Sequence, residues 1–195
     1  MSYIFVGLGN PGEEYENTRH NTGRMILEWF GKSNDAEWKI DKKLNAKIAK
    51  LKIGKTPVTI VLPDTFMNNS GKSVKPLIGS IKAAEKLIVI YDDLDLPFGA
   101  SKISFNKSSG GHKGLESIIK MLKTEKFARV RIGISPTSPS GKMRKPQGEE
   151  VVHKHILGKF KPEELLALKK LSKKISLALD TFVSDGLAKS MTEFN

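Results

Sequence analysis

Residues 3–23 constrain the fold of this chain more than any other stretch, because they join an apolar strand to a helix through a loop of polar side chains. They read YIFVGLGNPGEEYENTRHNTG. Residues 3–8 are apolar and rich in β-forming side chains, and the Gly-Asn-Pro-Gly that ends this run predicts a buried strand followed by a sharp turn. Apolar residues then recur four apart at 25 and 29 and at 26 and 30, which predicts a helix with Thr18 as its N-cap.

The loop between this strand and helix carries Asn10 and His20. Ligand sites of open α/β sheets lie outside the carboxyl ends of the strands, so we expect both side chains at such an edge. The glycines at 7, 9 and 12 also spell the GxGxxG of a dinucleotide-binding turn. We interpret that match as coincidental, because Pro11 removes a backbone donor and the acidic EEYEN would repel a pyrophosphate.

The composition limits the classes of protein to which this chain can belong. Its 195 residues include no cysteine, which excludes disulfides and thiolate chemistry and leaves four histidines and the carboxylates as possible metal ligands. No apolar run reaches membrane-spanning length and the first strand begins at residue 3, so we expect a cytoplasmic protein without a membrane segment or a cleaved leader. The net charge of +12 favours a polyanionic partner such as nucleic acid, although a solvated lysine-rich surface would give the same charge.

Apolar strand patterns alternate with helical patterns along the whole chain. This alternation predicts an α/β fold formed by a single domain of residues 1–195, with a mixed, mostly parallel twisted sheet and helices on both faces. A polar loop leads into a predicted helix over residues 70–81, which Pro76 would interrupt unless the helix begins near Val74. Residues 135–150 show no apolar period and are predicted to form a mobile loop. The strands are predicted at residues 3–8, 38–40, 46–53, 58–62, 87–91, 102–105 and 129–134, and further helices at 115–122 and from 162 onward.

Polar side chains follow several of these strands or open the helices after them. They include Asn10, Asn68, Asp92 and the turn Gly110-Gly111-His112, and they would meet around one cleft if the strands are neighbours. A carboxylate that accepts a hydrogen bond from one imidazole nitrogen of His20 would leave the other nitrogen as a base, and the amides could donate to an oxyanion. A lone histidine more often caps a helix or packs in a core. Catalysis is therefore indicated by His20 together with the carboxylate and the amides, and not by His20 alone. The absence of a G-x-S-x-G turn from the sequence favours water as the nucleophile.

Five segments carry a resemblance to a known family. In order along the chain they read GLGNPGEEYENTRHNTG, PDTFMNNSGKSV, YDDLDLPFGASK, SGGHKGL and RVRIGI. Their order and spacing closely resemble those of bacterial-type peptidyl-tRNA hydrolase, and the likeness spans nearly the whole chain. The resemblance implies a monomeric α/β enzyme without metal or cofactor, whose substrate is peptidyl-tRNA and which cleaves the ester between the peptide and the 3′ end of the tRNA.

The resemblance also implies roles for individual residues. His20 would activate the water, Asp92 would hold His20 in place, and Asn10 would orient the water or the substrate end. Lys113 stands where the family usually has an asparagine, and we hypothesise that its ammonium contacts the tRNA end and repels the free ammonium of aminoacyl-tRNA. The implied substrate-binding residues are Tyr15, Met67, Asn68, His112 and Lys113.

Basic residues flank the proposed cleft in sequence and form the predicted phosphate-binding set. Two of them, Lys102 and Arg131, are similar in position to basic residues of the family's tRNA-binding surface. The full set comprises Lys102, Lys107, Arg129 and Arg131.

Two alternative functions are compatible with the sequence. The chain could be an RNA-binding protein that kept this fold and lost turnover, although the presence of His20 and Asp92 argues against it. It could also be a metal-dependent hydrolase that uses His153 and His155 with Asp92, although two histidines at i, i+2 are a weak ligand pattern.

Overall fold

A computed structural model of the protein describes residues 2–195 and contains one seven-stranded sheet with helices on both faces. The strands are β1 Tyr3–Gly7, β2 Trp38–Asp41, β3 Ala46–Ile53, β4 Thr56–Pro63, β5 Leu87–Pro97, β6 Ser101–Phe105 and β7 Ala128–Ser135. The helices are α1 Thr22–Ser33, α2 Ser70–Val74, α3 Ile81–Ala84, α4 Lys113–Leu122, α5 Glu149–Leu157, α6 Pro162–Ser184 and α7 Leu187–Phe194.

The strand order across the sheet is β2-β3-β4-β1-β5-β7-β6. The four central strands β4, β1, β5 and β7 run parallel to one another. The outer strands β2, β3 and β6 pair antiparallel with their neighbours. The predicted α/β fold with a mixed sheet is therefore confirmed, and its parallel part is the centre, where the carboxyl ends of β4, β1 and β5 lie side by side.

Alternation along the central strands divides the apolar side chains between two cores. In β1, Phe5 points into the core formed with α1 and α6, whereas Ile4 and Val6 point into the core formed with α2 and α4. All three side chains are at least nine-tenths buried. Strands buried on both faces read as continuous apolar runs, which explains why the first strand was recognisable from sequence.

The first turn of α1 lies against the sheet at a distance that excludes side chains. A Cβ at Gly23 would lie 2.0 Å from the backbone oxygen of Ile90, and one at Gly7 would lie 2.6 Å from the backbone oxygen of Gly23. Gly7 thus permits close helix packing, and α1 begins only at Thr22, well after Gly12. This geometry agrees with the interpretation of GxGxxG as coincidental, because no helix starts within the motif.

Three local predictions were wrong. Thr18 does not cap α1, because its hydroxyl donates to the Tyr15 carbonyl and Asn21 occupies the N-cap position. The helix expected over residues 70–81 stops at Val74, and Pro76 lies in the 3₁₀ turn that follows. The loop predicted over residues 135–150 ends earlier than expected, because α5 begins at Glu149. The sequence analysis did not predict this amphipathic helix, nor did it predict α7.

Within residues 2–195, no helix is both long enough and apolar enough to cross a membrane.

Candidate active site

Side chains from four separate segments meet at the carboxyl edge of the central strands. Asn10 follows β1, and His20 lies in a 3₁₀ turn just before α1. Met67 begins a 3₁₀ turn after β4, Asp92 lies within β5, and His112 is the N-cap residue of α4. The expectation that these segments share one cleft depended on β4, β1 and β5 being neighbours, and the strand order fulfils that condition.

The centre of the site is a buried carboxylate held between two imidazoles. Nδ1–H of His20 donates to both oxygens of Asp92, at 3.1 Å each. Nε2–H of His112 donates to Oδ1 of Asp92 at 3.0 Å, while its Nδ1 accepts from the backbone N–H of Leu115 at 3.3 Å. Both nitrogens of His112 are therefore engaged. His20 keeps Nε2 as its unprotonated nitrogen, because the proton on Nδ1 is fixed by Asp92.

The electrostatics of this cluster follow from burial and mutual contact. Burial alone would raise the pKa of Asp92, but the two imidazoles hold the pKa of this carboxyl well below its usual range. Burial lowers the pKa of His20, whereas the charge and hydrogen bonds of Asp92 raise it, and the net result lies above the ordinary value of 6.5. Asp92 thus stays ionised at neutral pH and strengthens His20 as a base.

The side chain of Asn10 is oriented by its neighbours. The amide of Asn21 pairs with the backbone of Asn10, accepting from its N–H and donating to its carbonyl, both at 2.9 Å. The Asn10 side-chain oxygen accepts from the backbone N–H of Met67 at 2.8 Å. Because the oxygen faces Met67, the amide NH₂ of Asn10 points away from Met67 and is available as a donor. Sequence reasoning missed Asn21, since nothing in the motif HNTG distinguishes a positioning asparagine from a capping one.

A cleft of about 510 Å³ runs along His20 and Asn10. Tyr15 and Phe66 form its aromatic rim, with their ring centroids 6.5 Å apart and their planes nearly perpendicular. Phe66 is 60 % exposed, which is unusual for a phenylalanine and places an apolar ring where a ligand could cover it. Met67, Asn68 and Lys113 also line this cleft, so it contains four of the five predicted substrate-binding residues; the fifth, His112, contacts Asp92 instead.

Lys113 is the first residue of α4, and its ammonium is largely exposed. It bonds to the carboxylate of Glu116 one turn later at 3.2 Å. A cation at a helix N-terminus is opposed by the helix dipole, and Glu116 offsets part of that cost. The predicted role of Lys113 in substrate selection stays a prediction.

The turn that carries His20 is clamped to the C-terminal part of the chain by Arg19. The Arg19 guanidinium donates to the Gly158 carbonyl at 3.2 Å and to both oxygens of Glu164 at 3.1 and 3.0 Å. It also lies over the ring of Phe160, with 5.2 Å between the guanidinium carbon and the ring centroid. Thr18 forms an isolated β-bridge with Lys159 beside these contacts. The backbone next to His20 is thereby fixed.

The predicted phosphate-binding residues differ in their accessibility. Lys102 and Lys107 are exposed on and after β6. Arg131 is partly exposed and donates from Nε to Asp93 at 2.7 Å. Arg129 requires a correction, because it is 0 % exposed and its guanidinium carbon lies 4.5 Å from the centroid of the Phe127 ring. In this conformation its guanidinium cannot reach a phosphate.

The alternative metal set proposed from sequence is not assembled. Nε2–H of His155 donates to the Ile134 carbonyl at 2.9 Å, and His153 is exposed. Among the residues described by the structure, the only group of metal-ligand type is His20, Asp92 and His112, whose ligand atoms lie within 4.8 Å of one another.

This arrangement defines a class of protein. An open α/β sheet with a carboxylate-held imidazole, an adjacent free amide donor and a long cleft at its carboxyl edge has the parts that a hydrolase needs to direct water at a carbonyl.

Comparison with known proteins identifies the family. A family model described as peptidyl-tRNA hydrolase matches residues 4–195. The peptidyl-tRNA hydrolase of Herpetosiphon aurantiacus is 41% identical over 195 residues, covering 99% of this chain and 90% of that protein. The one from Aquifex aeolicus is 42% identical over 172 residues, covering 88% and 84% of the two chains. The crystal structure of peptidyl-tRNA hydrolase from Acinetobacter baumannii superposes with a TM-score of 0.87 at 29% identity, covering 99% of this chain and 94% of that one. The chain belongs to the peptidyl-tRNA hydrolase family of enzymes, and the resemblance seen in its five segments is confirmed.

Proposed function

We propose that this protein hydrolyses the ester bond between a peptide and the 3′ end of tRNA, using water activated by His20. Membership of the family supports the reaction. The observation that carries the mechanism is the pair of 3.1 Å contacts from His20 Nδ1 to Asp92, since they leave Nε2 of a nearly buried imidazole as a base.

The reaction is a general-base hydrolysis. Nε2 of His20 takes a proton from water as the water oxygen attacks the ester carbonyl carbon. The negative charge that develops on the carbonyl oxygen is stabilised by amide donors, for which Asn10 and Asn68 are placed along the cleft. The intermediate then collapses, the bond to the ribose oxygen breaks, and His20 returns its proton to that oxygen. The products are a peptide with a free carboxylate and a tRNA with a free terminal hydroxyl.

The cleft beside His20 suits a peptide. Its amide side chains can pair with a peptide backbone without adding charge, and its aromatic rim can cover side chains of varied sequence. Tyr15, Met67 and Asn68 are the residues that we assign to the acyl part of the substrate. This assignment rests on their position in the cleft.

His112 acts on the base through Asp92. Its Nε2–H donates to Asp92 and its Nδ1 accepts from the backbone N–H of Leu115, so neither ring nitrogen is left to act on the substrate. We therefore assign His112 as a positioning residue that fixes the Asp92 carboxylate. Its loss should leave the base in place but less well oriented.

The exposed basic residues Lys102 and Lys107, with Arg131, are proposed to contact tRNA phosphates. Each contact should contribute to affinity through release of counterions and not through base recognition. Arg131 keeps part of its guanidinium available, because its only described contact is through Nε to Asp93.

The experiment that tests the proposal is release of tRNA from N-acetyl-aminoacyl-tRNA by the wild type and by His20→Ala, with EDTA present. General-base catalysis contributes on the order of 10² to 10⁴ in rate, so His20→Ala should lose at least that factor. His155→Ala removes an imidazole that neither lines the cleft nor contacts Asp92, and it serves as the matched control, which should retain most of the activity. Aminoacyl-tRNA tests whether a blocked amine is required. Binding of the substrate by the wild type without cleavage, both with EDTA and with added divalent ions, would contradict the proposal and identify an RNA-binding protein.

Metal-assisted hydrolysis is a second candidate, favoured by the proximity of the ligand atoms of His20, Asp92 and His112. A divalent ion there could lower the pKa of a bound water and replace the general base. The EDTA in the same assay decides between the two, since activity that is lost with the chelator and restored by Zn²⁺ or Mn²⁺ would favour the metal.

A further inference from the structure

The longest helix, α6, carries a basic face that has no part in the proposed reaction. Between Glu164 and Asp180 this helix contains four lysines and no acidic residue. All four are exposed, and within residues 2–195 none of them pairs with a carboxylate. Leu166 and Leu177 lie on the same face and are 65 % and 59 % exposed. The four lysines are Lys169, Lys170, Lys173 and Lys174.

This face lies on the opposite side of the sheet from the predicted phosphate-binding residues. The helix α6 packs in the same core as Val130 and Ile132 of β7. Arg131 stands between these two residues, so its side chain points to the other face of the sheet. Lys102 pairs with Arg131 in register and points to that other face as well. The lysines of α6 therefore form a second basic surface, separate from the one proposed to contact tRNA.

The exposed side chains at the centre of this face follow the spacing of a coiled coil. Leu166, Lys170, Lys173 and Leu177 are separated by four, three and four positions, which is the order of d, a, d and a positions in a heptad. We call this row the α6 seam. Its two leucines lie about 16 Å apart along the helix axis, with the two lysines between them. The seam therefore has apolar ends and a positively charged middle.

The remaining two lysines flank the α6 seam. In the same register Lys169 and Lys174 fall at the g and e positions, where charges select the partner helix in coiled coils. The buried side of α6 keeps this repeat, because Leu168, Ile175 and Phe182 are seven residues apart and almost fully buried. One face of α6 thus packs on the core, while the opposite face has the same register and is not covered by any part of residues 2–195.

Charge and shape favour an acidic helix as the occupant of the α6 seam. RNA phosphates would pair with the lysines, but they have no use for two exposed leucines. Anionic membranes bind helices through a broad apolar face, whereas lysines interrupt the apolar row here. A second copy of α6 would place lysine against lysine and be repelled. A helix with apolar ends and carboxylates between them complements all six side chains.

We propose that the exposed face of α6 docks an acidic amphipathic helix of a partner protein. Carboxylates of that helix face Lys170 and Lys173, and its apolar side chains cover Leu166 and Leu177. Lysine at a core position of a coiled coil lowers stability and restricts the choice of partner, so the complex is selective and reversible. The proposal does not depend on the proposed reaction, and docking on this face leaves the surface around Arg131 free.

A synthetic peptide serves as the probe. It is a helix with the spacing Leu-x3-Glu-x2-Glu-x3-Leu, with two more glutamates at the flanking positions and Ala and Gln elsewhere. In one control peptide Gln replaces every Glu, and in the other Ala replaces both Leu. NMR titration of the whole protein should shift the signals of Leu166 and Leu177 with the first peptide. Both control peptides should bind at least tenfold more weakly.

Exchanging the charges tests whether the α6 seam is the binding surface. The double variant Lys170→Glu/Lys173→Glu changes two exposed side chains and should bind the acidic peptide at least tenfold more weakly than the wild type. A peptide with Lys in place of each Glu should bind this variant better than it binds the wild type. Lys50→Glu/Lys52→Glu makes the same change of charge on β3 and should bind the acidic peptide within twofold of the wild type.

The other possible occupants are outcomes of the same experiment. Hydrolysis of N-acetyl-aminoacyl-tRNA by the α6 double variant should keep kcat and KM within twofold, and a raised KM would assign the face to the substrate and overturn the proposal. Vesicles of phosphatidylglycerol that bind the wild type in place of the peptide would assign it to a membrane and also overturn it. No NMR shift at about 1 mM acidic peptide, or equal binding of the three peptides, would refute the docking of an acidic helix.

Discussion

Replacing Asp92 by asparagine should disable the base while preserving the volume of the site. The carboxylate accepts from His20 through both oxygens and from His112 through one of them. An asparagine offers one oxygen and one NH₂ group, so at least one imidazole N–H would meet a donor. His20 can escape this conflict by moving its proton to Nε2, which removes the base. We expect the rate of the chemical step to fall by on the order of 10² to 10⁴.

The same variant should change the pH dependence in a defined direction. A general base is inactive when protonated, so the rate of the wild type should fall as the pH drops through the pKa of His20, which Asp92 holds above 6.5. Without the carboxylate charge, burial is the remaining influence, and it lowers the pKa of His20. The acid limb of the profile should therefore move to lower pH in Asp92→Asn, even as the plateau drops.

Single-turnover cleavage of N-acetyl-aminoacyl-tRNA between about pH 5 and pH 9 measures both effects. Asp64→Asn is the matched control, because it removes a carboxylate that bonds to Arg24, outside the His20 cluster. Its acid limb should stay in place. Circular dichroism verifies that each variant is folded. An Asp92→Asn enzyme with an unchanged plateau, or with its acid limb shifted to higher pH, would refute the assignment of His20 as a base tuned by Asp92.

Three further outcomes are expected. Gly23→Ala should lower the free energy of unfolding by about 1–3 kcal/mol in denaturant titrations, because its Cβ would lie 2.0 Å from a backbone oxygen, whereas Gly79→Ala, with no atom within 4 Å, should have little effect. Lys102→Ala should reduce the slope of log affinity for tRNA against log salt by about one unit, and the exposed Lys50→Ala should not; equal slopes would remove Lys102 from the phosphate set. Arg19→Ala should cost about 2–3 kcal/mol of stability and lower kcat more than it raises KM, and full activity would show that the clamp does not position the base.

The sequence allowed the meeting of the polar side chains at one edge of the sheet to be predicted, because these residues directly follow apolar strand patterns. Asn10 follows an apolar run that could only be a buried strand, and Asp92 ends another, so their common edge followed once the strands were placed side by side. The pairing of His20 with Asp92 was expected from the family resemblance and from the chemistry of a supported base. Contact between these side chains is now described, and their roles remain proposals.

Other features depended on distances that no local pattern encodes. Arg129 and Arg131 both alternate onto the same face of β7, yet Arg129 is fully buried and Arg131 is partly exposed. Both residues are arginines on the same face of one strand, so the sequence could not predict which of them is buried. The helix α5 was not recognised in the sequence, because the polar residues around His153 and His155 mask its apolar pattern and none of its residues is buried.

The two halves of the Arg19 clamp are made at different times. Protein synthesis proceeds from the amino end, so Arg19 and His20 leave the ribosome long before Gly158 and Glu164 are added. Until then the turn that carries the imidazole lacks the hydrogen bonds that anchor it. A truncated product ending before residue 158 would contain every residue assigned to catalysis and still lack the contacts that anchor the turn of His20. We therefore expect the turn of His20 to become anchored only when synthesis of the chain has passed Glu164.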